Sequence, residues 1–209
     1  TCGTCTTCFK NFKKLINMEI IFATHNDNKL KEVQALMPSS VKLISLRDLN
    51  FNEEIPETSG TIAGNAIQKV EFLKNRFDLP IFADDTGLLV DALNGEPGVY
   101  SARYAGEQKN SEDNMDLLLK KLTDNNNRAA RFVTAIALNL NHCQTLFEGV
   151  CEGTILNERK GDEGFGYDPI FMPKGYDLSF AQMSQTEKGK ISHRAKALLK
   201  LIDYLKEVK

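Results

Sequence analysis

The sequence holds no apolar run of about 18 residues, the length a helix needs to span a bilayer, so it encodes no transmembrane helix. It also lacks an excess of positive charge: 26 basic residues stand against 28 acidic ones, for a net charge of −2. Nucleic-acid backbones are held by broad positive fields, so no nucleic-acid partner is expected, and an anionic ligand must meet a local cluster of basic groups. The polar loop His25–Asn28 contains no glycine, which excludes a Walker-type phosphate loop. Internal repeats and linkers are absent. The segment Phe9–Asn17 has neither an apolar core nor a cleavage site, so it makes a poor signal peptide, and a cytoplasmic location is the expectation.

Five cysteines are present, three of them in the first eight residues. Cys2, Cys5 and Cys8 have the spacing of a soft-metal site, but no His or fourth Cys follows nearby. The opening TCGTCTTC uses only three residue types. Residues 1–17 are therefore read as a leader, non-native or disordered, with Met18 opening a single domain over 18–209. Cys143 and Cys151 are read as strand residues in a reducing compartment.

A chain of 209 residues can build one domain, with two lobes around a cleft. Glu19–Thr24 reads as a strand, Lys29–Leu36 as a helix and Val41–Leu46 as a second strand, the opening of an α/β unit. A helix is expected near Thr61–Phe77, with Ala66, Val70, Leu73 and Phe77 as its apolar stripe and Asn65 and Lys69 together on another face. The strand Ile81–Ala83 ends at Asp84-Asp85-Thr86-Gly87, which is good turn chemistry. Asn110–Leu122 reads as a helix capped by Ser111, Arg131–Leu140 and Thr145–Ile155 as a hairpin turning at Asn141–His142, and Ser192–Val208 as a strong final helix. The fold class is α/β: a mixed central sheet with flanking helices.

Three clusters can carry chemistry, each where a strand meets a loop. The first is Thr24-His25-Asn26-Asp27-Asn28-Lys29. A helix start offers unpaired N–H groups and a positive dipole end to a phosphate, and Lys29 adds a full charge. The plainer reading is that Asp27 or Asn28 caps the helix. The second is Glu57, Asp84 and Asp85. Adjacent carboxylates are costly unless a cation neutralises them, and Mg²⁺ suits a site that also holds phosphates. On a regular strand the two aspartates would point to opposite faces, one toward metal and the other toward water or a lysine. The third is Gly164-Phe165-Gly166-Tyr167-Asp168-Pro169 with Lys188 and Ser192-His193-Arg194. Phe165 between two glycines can stack a base; Asp168, Lys188, His193 and Arg194 can bond a base edge. The alternative makes Ser192 a helix cap, with His193 and Arg194 its solvated first turn.

Taken in order, these motifs resemble the inosine triphosphate pyrophosphatase family. The resemblance runs through Phe22-Ala23-Thr24-His25-Asn26 with Lys29, Pro56-Glu57-Thr58, Asn65-Ala66 with Lys69, Ala83-Asp84-Asp85-Thr86-Gly87, Pro97-Gly98-Val99-Tyr100-Ser101-Ala102-Arg103, Gly164 to Pro169 and Ile191-Ser192-His193-Arg194. It implies an elongated two-lobed α/β fold with the nucleotide between the lobes, a homodimer, and Mg²⁺-dependent hydrolysis of ITP, dITP and XTP to monophosphate and pyrophosphate. By that pattern Asp85 is the catalytic, Mg²⁺-linked acid and Glu57 its metal partner, and Asp84 or Asp85 orients the water. Lys29 and Lys69 contact the triphosphate along a path lined by Thr24, Asn26 and Thr86, and the loop reading adds His25, Asp27 and Asn28 as substrate-binding residues. Phe165 stacks on the base with Gly166 and Tyr167 beside it, and Asp168, Lys188, His193 and Arg194 surround it. The sequence departs from the family at His25, where Gly is frequent, at Ser59-Gly60, and at Ala63, where an acid is common.

Overall fold

The first described strand, β1 (Met18–Phe22), is apolar at Ile20, Ile21 and Phe22, all fully buried, which places it inside a sheet rather than at its edge. The computed structural model describes residues 18–208; the expected leader and the Cys2, Cys5 and Cys8 spacing lie outside them. Next come α1 (Asp27–Leu36), β2 (Val41–Ser45), α2 (Ile62–Leu73), β3 (Ile81–Val90) and the short β4 (Pro97–Gly98). The chain continues through α3 (Ser111–Lys121), β5 (Ala129–Leu140), β6 (Cys143–Ile155), β7 (Phe171–Pro173), α4 (Gln185–Ile191) and α5 (His193–Glu207). The strands form one sheet in the order β2-β1-β3-β5-β6-β7, with β4 beside β3. β1 runs parallel to β2 and β3, and the other pairings are antiparallel, so the sheet is mixed as expected.

The hairpin β5–β6 turns at Asn141 and His142, both at positive φ (51° and 63°), the geometry that matches a two-residue turn to the sheet twist. Cys143 and Cys151 do lie on β6. The α3 cap is Asn110, whose side chain takes the amides of Glu112 and Asp113, rather than Ser111. Among the described residues no helix is long and apolar enough to cross a membrane.

The larger correction concerns β3. It does not stop at Ala83; Asp84, Asp85, Thr86 and Gly87 are mid-strand, because β5 pairs with every residue from Ile81 to Val90. Cross-strand pairing overrides the local turn preference of that tetrapeptide. The long strands β3, β5 and β6 therefore run through two parts of the core. At one end, Ile20, Phe22 and Phe82 pack against Val33 of α1 and Leu198 and Leu201 of α5, while Ile21, Ala23, Ile81 and Ala83 pack on the other face against Ala66, Val70 and Leu73 of α2. Each fully buried Val or Leu here contributes roughly 1.5–3 kcal/mol. At the far end, Leu88, Val90, Phe132 and Ile155 meet Met115 and Leu118 of α3, with Phe171 and Phe180. Asp84 to Thr86 lie where the two parts join.

Candidate active site

The pleat of β3 decides what its carboxylates meet. Phe82 faces α1 and α5, and Ala83 faces α2. Alternation sends Asp84 to the first face and Asp85 to the second. Both are buried, at 1% and 8% exposure, so each needs partners.

Asp84 finds two cations. Its Oδ1 accepts from Lys29 Nζ at 3.1 Å and its Oδ2 from Arg194 Nε at 2.9 Å. Arg194 also donates to Glu32 and, at 3.2 Å, to Thr86 Oγ1. Glu32 in turn accepts from Lys188 Nζ at 2.6 Å, and the same ammonium reaches Asp168 Oδ2 at 2.6 Å. Cations and carboxylates thus alternate along one buried chain: Lys29, Asp84, Arg194, Glu32, Lys188, Asp168. Burial alone would raise the Asp84 pKa, but Lys29, Arg194 and Lys69 outweigh it and hold the group well below the usual carboxylate range. Glu32 is likewise lowered, burial being outweighed by Arg194 and Lys188. Lys29 is lowered as well, but here burial prevails: desolvation lowers it more than Asp84 raises it.

On the opposite face Asp85 Oδ2 accepts from Asn65 Nδ2 at 3.0 Å, and its Oδ1 lies 3.6 Å from Lys69 Nζ. That ammonium also pairs with Glu57 and donates to the Asp84 carbonyl at 2.9 Å. Asn65 and Lys69 share one face of α2, as their four-residue spacing requires. Burial would lower Lys69, but Asp85, Glu57 and Asp84 outweigh it and raise its pKa. Burial would raise Glu57; the Lys69 ammonium beside it prevails and lowers it.

The glycine loop closes the far side. Gly164 and Gly166 sit at φ +78° and +66°, a region open to glycine. The turn lets the Phe165 amide donate to Asp168 Oδ2 at 2.8 Å. The half-buried Phe165 ring lies 5.1 Å from Lys188 Nζ and 5.7 Å from Arg194 Cζ. Tyr167 turns inward, its hydroxyl donating to the Ser101 carbonyl at 2.9 Å, and burial pushes its pKa up. Ser192 ends α4 and caps α5, accepting from the Ala195 amide at 3.2 Å. His193 and Arg194 are buried at 4% and 2% exposure, so they are not a solvated first turn. The His193 ring stacks on Phe132 at 4.5 Å, and desolvation, reinforced by Arg194 and Lys188, holds its pKa well below the ordinary value.

Two acids on opposite faces of one strand, Asp84 between Lys29 and Arg194 and Asp85 beside Lys69, with an aromatic ring beside the chain of charges, have the chemistry to receive a polyanion carrying a flat group. A family model described as the Ham1 family matches residues 20–204. The chain belongs to the Ham1 family. The Ham1 chain is 53% identical over 189 residues to a dITP/XTP pyrophosphatase of Flavobacterium psychrophilum, covering 90% of this chain and 100% of that one. It is 54% identical to the enzyme of the same name from Christiangramia forsetii, over 90% of this chain and 99% of that one. Among solved structures, a Ham1 protein of Staphylococcus aureus superposes with a TM-score of 0.83 at 40% identity, over 91% of this chain and 100% of that one.

Within the Ham1 chain most of the expected site residues converge: Glu57, Asp84, Asp85, Lys29, Lys69, Thr86, Phe165, Asp168, Lys188, His193 and Arg194. The β1–α1 loop behaves differently. Asn26 caps α1, its Oδ1 taking the Asn28 and Lys29 amides, and Thr24 Oγ1 takes the Asn26 amide at 3.1 Å. The cap is therefore Asn26, not Asp27 or Asn28, and the Asn28 and Lys29 amides are already engaged. Asp27 pairs with Arg47 at the surface, at 2.9 Å. The His25 ring is held by the loop that precedes Glu57. Sequence reasoning missed Glu32, which bridges Arg194 and Lys188. Its one signal was a position three residues after Lys29, on the same face of α1.

Proposed function

We propose that this chain hydrolyses ITP, dITP and XTP to the monophosphate and pyrophosphate with Mg²⁺, removing deaminated purines from the nucleotide pool. The observation that carries the proposal is the opposite placement of Asp84 and Asp85 on β3, with the first locked among cations and the second left beside Asn65, Lys69 and Glu57. The dITP/XTP pyrophosphatase name of its relatives supports the same reading.

Asp85 accepts a hydrogen bond from the water that attacks the α-phosphorus. The new bond runs from the water oxygen to that phosphorus. The bond from the α-phosphorus to the bridging oxygen breaks, and pyrophosphate leaves with the electron pair. Asp85 takes the water's proton and passes it to solvent. Lys29 and Lys69 hold the β- and γ-phosphates in line, so the work of the protein is positioning and charge balance. Asp84 acts on the cations rather than on the water.

The residues fit a magnesium ion. Glu57 and Asp85 would hold it, because their oxygens already converge on one cation, the Lys69 ammonium. Among the described residues no group of three or more His, Cys, Asp or Glu is arranged to hold an ion alone. Mg²⁺ is commonly bound through one or two carboxylates, with phosphates and water completing its shell. When bound, the ion neutralises charge developing on the pyrophosphate.

Base choice rests on the six-position. Hypoxanthine and xanthine carry a keto acceptor there and adenine an amino donor; guanine shares the keto group, so slow turnover of GTP has to come from separate rejection of its two-amino group. Arg194, always a donor, and the helix start at His193 reward the acceptor. A polar mismatch in a buried site discriminates by about 10⁴-fold or more. The resemblance adds a homodimer and a cytoplasmic location; light scattering on the purified chain should give twice the chain mass.

The deciding experiment is pyrophosphate release from ITP, XTP, GTP, ATP and dTTP in parallel, with and without Mg²⁺. Fast Mg²⁺-dependent release from ITP and XTP, with ATP and GTP slow, is the expected result. Fast release from dTTP instead would discard the base reading. No release from any of them would leave a nucleotide-binding module without catalysis.

A further inference from the structure

The loop that delivers Glu57, residues 51–59, has no helix or strand to fix it. Side chains must do so. Its later half is tied to α2: Gln68 Oε1 accepts from the Thr58 amide at 2.9 Å, Gln68 Nε2 donates to Thr58 Oγ1 at 2.8 Å, and Asn65 Oδ1 accepts from the Ser59 amide at 2.9 Å. Its earlier half is tied to the end of α2's helical run. The Arg76 guanidinium lies 4.4 Å from the Phe72 ring and 5.5 Å from Phe51, and donates to Glu53 Oε2 at 2.7 Å.

A third support comes from a different part of the chain. The His25 ring, in the β1–α1 loop, lies parallel to Phe51 with centroids 6.3 Å apart and 8° between planes. Its Nε2 is 2.9 Å from the Glu53 carbonyl. A carbonyl only accepts, so Nε2 carries the proton and donates. His25 is exposed and has water as an alternative partner, yet both its ring face and its Nε2 are directed at this one loop.

We infer that His25 is a positioning residue that latches the β1–α1 loop to the loop carrying Glu57, and so sets the place of Glu57 against Lys29 and Lys69. Lys29 lies four residues beyond His25 and reaches Asp84, whereas Glu57 lies four beyond Glu53 and reaches Lys69. This contact is the one of the three supports that joins the two loops, and it therefore sets the separation of two groups that the triphosphate and its ion would bridge. In this role the His25 side chain acts through Glu57. The inference rests on the proposed role of Glu57 in the same site.

The test compares His25→Ala and His25→Gln with the unaltered chain. Loss of a contact made directly to a metal ligand costs about 10- to 100-fold in metal affinity or activity, and His25 stands one step further out, so the lower end applies. His25→Ala should lower kcat for ITP by about tenfold, leave KM for ITP within about twofold, and raise the Mg²⁺ concentration for half-maximal rate. His25→Gln, which keeps a donor, should recover part of the loss. Hydrogen exchange without nucleotide or metal should show faster exchange confined to residues 52–57, with α1 unchanged. A raised KM with unaltered exchange would mean that His25 meets the substrate itself and would overturn the inference. Unaltered kinetics and exchange would overturn it too. If the unaltered chain releases no pyrophosphate, the proposed function falls, while exchange still decides the latch: unaltered exchange in His25→Ala removes it.

Discussion

Asp84 and Asp85 are consecutive, yet Asp84 is bonded to Lys29 and Arg194 on the α1–α5 face while Asp85 is bonded to Asn65 on the α2 face. A one-residue shift of register would exchange them, so the pairing of β3 with β5, Asp84 opposite Ile136 and Asp85 opposite Ala135, is what assigns their roles.

Substituting the two should therefore give different failures. Asp85→Asn should lower pyrophosphate release by about 10³-fold or more, as expected for a group at the reacting centre. Its thermal midpoint should move little, because Lys69 keeps Glu57 and the Asp84 carbonyl. Asp84→Asn removes the shared anion from two buried cations, a change that costs roughly 3–5 kcal/mol. For a chain of this size that is a fall of roughly 10 °C. Thermal unfolding beside the release assay separates the two; an Asp85→Asn protein with near-normal rate would remove Asp85 from the mechanism.

Stability should fall with acid in two stages. His193 is held neutral, below its ordinary pKa, so the unfolded chain binds its proton first. Stability is then full above about pH 6.5 and declines below it, by up to about 1.4 kcal/mol per pH unit for one proton. Asp84 and Glu32 follow: with folded pKa values below the unfolded ones, their contribution is present above about pH 4 and lost as pH falls through the folded values. Asp168, raised by burial, opposes this second stage. His193→Phe keeps the stack on Phe132 and should abolish the first decline while leaving the second. Denaturant midpoints at successive pH values check it, and an unchanged slope between pH 6.5 and 5 would count against a neutral His193.

Much of this was legible in the sequence, and the failures share a cause. The long hairpin and the α2 stripe follow from periodicity, because each is decided by residues close in the chain. The four-residue spacing of Asn65 and Lys69 already placed them on a common face. The Asp84-Asp85-Thr86-Gly87 segment misled because its turn chemistry is local, while the strand that holds it flat arrives about 50 residues later. Glu32 was invisible for the same reason: its partners are 156 and 162 residues away. His25 was read with the phosphate loop from its place in the chain; the Phe51 and Glu53 contacts of its ring come from residues 26 and 28 positions away.

Phe165 offers a simple test of base stacking. A stacked base contributes roughly 1–3 kcal/mol, so Phe165→Ala should raise KM for ITP by about tenfold or more. Because the ring lies with Lys188 and Arg194, which join the Asp84 side of β3 rather than the Asp85 side, kcat should change much less. Steady-state kinetics distinguish this from a loss of kcat at constant KM, which would place Phe165 with the reacting groups instead.

The glycines on either side of Phe165 allow a sharper comparison. Both stand at positive φ, so alanine at either carries a backbone cost of roughly 1–2 kcal/mol. They differ in what a β-carbon would meet. At Gly166 nothing lies within 4 Å; at Gly164 it would sit 2.1 Å from Asp168 Oδ2. That oxygen is the one that accepts from the Phe165 amide and from Lys188. Gly166→Ala should therefore lose only the backbone cost, a few degrees in thermal midpoint, and keep its KM for ITP within about threefold. Gly164→Ala has to displace Asp168, which frees Lys188 from one of its two carboxylates and unseats the Phe165 ring. It should lose more stability than Gly166→Ala and raise KM by about tenfold or more, since the ring and the base-side charges move together. Equal effects of the two substitutions would mean that the Asp168 contact does not hold the loop, and that Phe165 is placed by the glycine turn alone.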